Sequence, residues 1–129
     1  MTEIFGAPIS IYTRAQAIED GVLVDISQSS EAKECGFKFP IAMTRAVWDQ
    51  YVEVPPGVTH QDWKGRLWDV LYMLRHEIRT GPPRSVILYK LHVRNDNRDR
   101  TPPLVTLKAV CGPGDTPEPV ITIMLPEED

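Results

Sequence analysis

Residues 58–78, VTHQDWKGRLWDVLYMLRHEI, read as one long amphipathic helix with a marked start. Thr59 is a good N-cap, and Asp62 three residues later is a charge-matched variant of the capping box. Val58 and Trp63 occupy the two positions of a hydrophobic staple. Trp63, Leu67, Val70, Leu71, Leu74 and Ile78 recur at helical spacing and make one apolar stripe. The stretch therefore predicts a packed domain organised around a central helix. With Trp63 on the buried stripe, Trp63→Ala is expected to cost about 3–5 kcal/mol, the range for a buried aromatic.

Upstream, Thr13 and Gln16 form a capping box for a short helix, TRAQAIED, which Gly21 stops. Val22, Leu23, Val24 and Ile26 make a short β-prone stretch around Asp25. Ser27, Ser29 and Ser30 start another short helix through Glu34, with Gly36 as its stop. Residues 37–41 are extended by composition, since Pro40 keeps Phe39 out of the helical region. Thr44 is a further cap, with Met43 and Trp48 as its staple, for a helix over about 45–52. Residues 1–12 read as extended.

Downstream, Thr80-Gly81-Pro82-Pro83 ends the central helix and the pattern turns β. Ile87, Tyr89, Leu91 and Val93 alternate with Lys90 and His92. Val105, Leu107, Ala109 and Cys111 form a second set, and Ile121, Ile123 and Leu125 a third. Val86, Leu88, Leu104, Val110, Val120 and Met124 leave the opposite face only half polar, so both faces are expected to be partly covered. The connections at 94–103 and 112–119 suit antiparallel neighbours better than a parallel crossover. The expected fold is α+β: a central amphipathic helix on a three-stranded antiparallel C-terminal meander, with short N-terminal helices, in a single domain over 1–129.

Composition sets limits on function. A chain of 129 residues, 42% hydrophobic and 25% charged, buries enough surface to fold without disulfide or metal. Its twelve prolines fall in clusters between apolar segments and punctuate loops. A net charge of −4 argues against a general nucleic-acid coat and is too small for a mimic of DNA. Two cysteines make no disulfide framework. No secretory pattern opens the sequence and no apolar run reaches membrane length, so the expected location is the cytoplasm, with no membrane association.

No catalytic, cofactor or metal motif stands out. A Cys111–His92 pair fails on distance: some six strand residues separate them, about 20 Å, on opposite faces of the pleat. His60, His76 and His92 lack the spacing of local metal-ligand pairs, and His76-Glu77 has Thr80 where a zinc-protease motif needs its second histidine. Residues 95–99, NDNRD, lack the glycine and distal glutamate of a calcium loop. Gly112-Pro113-Gly114-Asp115 has no helix behind it to hold a phosphate. Glu53, Asp62, Asp69 and Glu77 are scattered, and none marks a general-acid pair.

Two surface features remain as a candidate binding surface. Arg75, Arg79 and Arg84 cluster at the end of the central helix, where cations also complement its dipole. Arg94, Arg98 and Arg100 sit in the first hairpin loop, with Asp96 and Asp99 beside them. Converged, the two groups would form a basic edge suited to phosphate or an acidic partner. Among the three tryptophans, Trp48 and Trp63 hold staple positions, whereas Trp68 lies off the main stripe beside Tyr72. That pair is the candidate aromatic contact.

Three phrases together resemble a known group: FKFPIAMT at 37–44, GRLWDVL at 65–71 and VITIMLPEED at 120–129. They are similar to a family of small uncharacterised bacterial proteins carried on plasmids and other integrating elements. The resemblance runs from about Ile11 to residue 129 and brings no assigned catalytic residues. It implies a mobile-element accessory role. The expected function is thus non-enzymatic binding of a macromolecule, first of all another protein, with inhibition of host defence as a specific form. The alternatives are a nucleic-acid-binding regulator using the arginine edge, and an enzyme with a dispersed site.

Overall fold

The computed structural model describes residues 12–98 and 100–129. The expectations for residues 1–11, an extended segment without secretory pattern, and for Asp99 lie outside the described residues. In chain order the elements are α1 (Arg14–Glu19), β1 (Leu23–Asp25), α2 (Ser30–Glu34), β2 (Ile41–Thr44), α3 (Arg45–Val47), α4 (Trp63–Thr80), β3 (Val86–His92), β4 (Leu104–Pro113) and β5 (Pro119–Met124). The fold is α+β: a central helix on a mixed sheet of five strands in the order β1-β2-β5-β4-β3.

The sheet corrects the expected three-stranded meander. β3 with β4 and β4 with β5 are antiparallel, but β5 also pairs parallel with β2, Ile41 opposite Ile121 and Met43 opposite Ile123. β1 then adds antiparallel to β2. The predicted extended segment begins late: β2 opens at Ile41, not Phe37, and Phe39 is half exposed. β2 holds a central place because Ile41, Ala42 and Met43 are all fully buried. A run without alternation belongs to a strand covered on both faces.

One face of the sheet carries Ile41, Met43, Ile87, Tyr89, Leu107, Ala109, Ile121 and Ile123, and these pack with Leu67, Val70, Leu71 and Leu74 of α4 into one core. The Tyr89 hydroxyl, buried in that core, donates to the Val70 carbonyl at 3.1 Å. Burial pushes it well above the ordinary tyrosine value. Over part of the other face lies α1. Its capping box forms as the sequence predicts, and Arg14 donates to Thr122 Oγ1 at 2.6 Å and the Ile121 carbonyl at 2.8 Å. Val86, Leu88 and Leu104 stay about half exposed, so cover on that face stops short of β3.

The start of α4 is a second correction. Asp62 is the N-cap and accepts from the Gly65 N–H at 2.6 Å; Trp63 opens the helix. Thr59 is drawn elsewhere: its N–H donates to Asn97 Oδ1 at 3.2 Å, and Asn97 donates back to the Gly57 carbonyl. His60, at φ +60°, then turns the chain between Thr59 and the helix. Trp63 is consequently 44% exposed and is not core. It packs at a tilt against Trp48, 5.8 Å between ring centroids, with Lys64 over its ring. Upstream, Thr44 caps as expected, but after α3 the chain widens into a π-helical turn over Trp48–Val52.

That widened turn explains a buried arginine. Arg66 is 4% exposed although it sits in a helix otherwise split into an apolar and a polar side. Its guanidinium donates to the carbonyls of Tyr51, Gln50 and Arg94 and to Asn95 Oδ1. The carbonyls that end a helix lack intrahelical donors, and Arg66 supplies them for the π turn while tying that turn to the 94–95 loop.

Candidate functional site

The outward side of α4 carries the aromatic pair that the sequence singles out. At 3.6 residues per turn, Trp68, Tyr72, Arg75, His76 and Arg79 fall within an arc of about 100°. Trp68 and Tyr72 stack, 5.6 Å between centroids and 24° between planes. Trp68 is half-buried and Tyr72 is 50% exposed. His76 and Arg79 are exposed one turn further on, and with Tyr72, Arg75 and Thr80 they line a shallow recess. Arg79 has no hydrogen-bond or ion-pair partner among the described residues. Arg75 donates through Nε to the Cys35 carbonyl at 3.1 Å. The stripe borders the buried one through Trp68, which also packs against the core, so the amphipathic period that builds the core also aligns these five residues.

The six arginines of the expected edge do not converge. Arg66 bonds the Arg94 carbonyl, which fixes the 94–100 loop at the start of α4. Arg79 is thirteen residues along the helix, about 20 Å at 1.5 Å per residue. Arg84 pairs with Glu77 at 3.0 Å and closes the far end of α4. Within the loop, Arg94 bonds the Asp96 and Arg100 carbonyls, and Arg98 pairs with Asp96 at 3.1 Å. Hydrogen bonds from Arg98 hold the Asp96 carboxyl below its ordinary value. The loop arginines thus brace their own turn or meet its acid, and Arg100 is exposed.

The remaining chemistry is sparse. His92 pairs with Leu104, and Cys111 lies seven residues further along β4, about 23 Å away. Asp69 is raised because protein displaces water around it. With Arg66 and His92 it borders a cavity of about 90 Å³, well short of the roughly 300 Å³ at which small-molecule sites begin. Among the described residues, no three His, Cys, Asp or Glu side chains gather as metal ligands. No helix among them is long and apolar enough to cross a membrane.

Sequence reading misses two features. One is Arg66, whose only signal is its position at the margin of the apolar stripe. The other is a larger apolar cavity between the C-terminal half of α4 and the sheet, reached from segment 36–39. It assembles from five separate stretches, which leaves no local pattern.

The fold and its helix face define a helix-on-sheet domain with one polar–aromatic surface and no assembled catalytic group among the described residues. The chain belongs to the family of unknown function DUF6573, whose model matches residues 1–129. The match therefore includes the first ten residues, which the phrase resemblance leaves out. No curated protein and no solved structure matches the chain.

Proposed function

We propose that this chain is a non-enzymatic accessory protein that acts by binding another protein in the cytoplasm. Its setting in this reading is a mobile genetic element, and inhibition of a host defence is its specific form. One observation supports it above the rest: the stacked Trp68–Tyr72 pair leads directly into Arg75, His76 and Arg79 on the open side of α4. Trp, Tyr and Arg are the residue types that dominate interface energetics. The aromatic end offers apolar area held in place by stacking. The cationic end favours an acidic surface on the partner and penalises a basic one.

Affinity capture from a bacterial host lysate tests the reading when run in parallel with the wild type and a Tyr72→Ala/Arg79→Glu variant. The expected result is a defined protein held by the wild type and lost by the variant, with unchanged urea midpoints for the two chains. A partner retained equally by both would exclude this face. The nucleic-acid alternative needs the two arginine groups to act together, and their separation of about 20 Å weighs against it. It predicts capture of DNA or RNA with affinity falling steeply as salt rises. The enzyme alternative needs a cleft with a strongly perturbed titratable group.

A further inference from the structure

Beneath the C-terminal half of α4 lies a cavity of about 310 Å³. Leu74 from the helix and Ile87, Ala109 and Ile121 from the sheet make its floor, and Phe37 and Phe39 form a wall. The space exists because two short side chains, Ala109 and Cys111, follow Leu107 on the inward side of β4. At about 30 Å³ for a group the size of water, it has room for roughly ten heavy atoms. That places it at the lower end of the range for small-molecule sites.

The charges around this apolar space have one sign. Lys38, Arg75 and Arg84 line it, and among the described residues no carboxylate does. Arg84 is engaged by Glu77. Lys38 has no hydrogen-bond or ion-pair partner among the described residues. Among the described residues Arg75, half-buried, gives only its Nε, to the Cys35 carbonyl. The Arg75 Nη groups are therefore available, and a guanidinium offers paired donors that match a carboxylate. An apolar interior with unanswered cations in its lining is complementary to a molecule with an oily body and one anionic head.

We propose that this cavity binds a medium-chain monocarboxylate, its hydrocarbon against Leu74, Ile87, Ala109 and Ile121 and its carboxylate between Arg75 and Lys38. This site goes beyond partner docking on the outer side of α4 and shares only Arg75 with that face.

Titration calorimetry with octanoate and 1-octanol, which share a chain and differ in the head, tests the proposal on the full chain. Octanoate is expected to bind one site at least tenfold more tightly than octanol. Lys38→Met/Arg75→Met is expected to bring the two within about threefold, with circular dichroism reporting that the variant folds. A second reading needs no mutation: Cys111 lines the cavity whereas Cys35 is buried, so saturating octanoate should slow alkylation of Cys111 by iodoacetamide at least fivefold. Equal binding of acid and alcohol, no binding at 10 mM octanoate, or binding that leaves Cys111 alkylation unchanged would each overturn it.

Discussion

At the start of α4, Arg66 is enclosed and each of its three guanidinium nitrogens donates to an acceptor; at its far end, Arg75 and Arg79 hold their charge with few partners or none among the described residues. The same residue type on the same helix thus serves structure at one end and remains available for ligands at the other. The difference follows from what is packed alongside. The π-helical turn and the 94–95 loop bring a set of carbonyls to Arg66. Among the described residues nothing comparable reaches Arg79, and Arg75 meets a single carbonyl from the end of α2. Charge in a sequence is therefore a poor guide to which arginine acts.

The sharpest way to break this contrast is Arg66→Ala beside Arg79→Ala. Each acceptor left without its donor costs about 1–3 kcal/mol, so Arg66→Ala should lose about 3 kcal/mol or more in urea unfolding. Arg66→Lys should regain less than half, because an ammonium cannot span the same acceptors. Arg79→Ala should stay within about 0.5 kcal/mol. Equal losses at the two ends would dissolve the comparison.

Smaller effects test the helix start. Trp63→Ala should now cost about 1–2 kcal/mol, for one tilted ring contact and a half-covered side chain, in place of the 3–5 expected of a core tryptophan. Asp62→Ala should cost about 1 kcal/mol as loss of the N-cap. Thr59→Ala should cost under about 0.5 kcal/mol, and the reverse order at these two positions would restore the sequence-based cap.

Tyr89→Phe probes the core between the two ends and should cost about 1 kcal/mol. It also carries a pH signature. The folded chain keeps the Tyr89 proton while the unfolded chain releases it near pH 10, so stability is full below that value and falls as pH rises beyond it. Denaturation midpoints followed from pH 8 to 11 should decline less in Tyr89→Phe than in the wild type.

What was legible follows the range of the interaction. The caps at Thr13 and Thr44 need only three residues, and both form; from the serine group at 27–30 it is Ser29 that caps α2. The inward sets 87/89/91 and 121/123 follow from strict alternation and are buried. The cap at Thr59 fails because its rival, Asn97, lies 38 residues away. The parallel pairing of β2 with β5 is invisible locally, since each strand alone fits an antiparallel partner equally well. Trp68 and Tyr72 are legible because a helix face has a period, although stacking itself is not a sequence property. The cavity is not legible, because its local trace is Ala109 and Cys111, small side chains that also suit an ordinary core.

The strand order has a consequence for biogenesis. β5, the latest of the five to leave the ribosome, is inserted between β2 and β4, both made earlier. Without β5 the facing edges of β2 and β4 have no partner in this strand order, and such bare edges invite pairing with other chains. Nascent copies on one messenger are then mutual hazards, and slow delivery of residues 119–124 would favour aggregation without altering a single native contact.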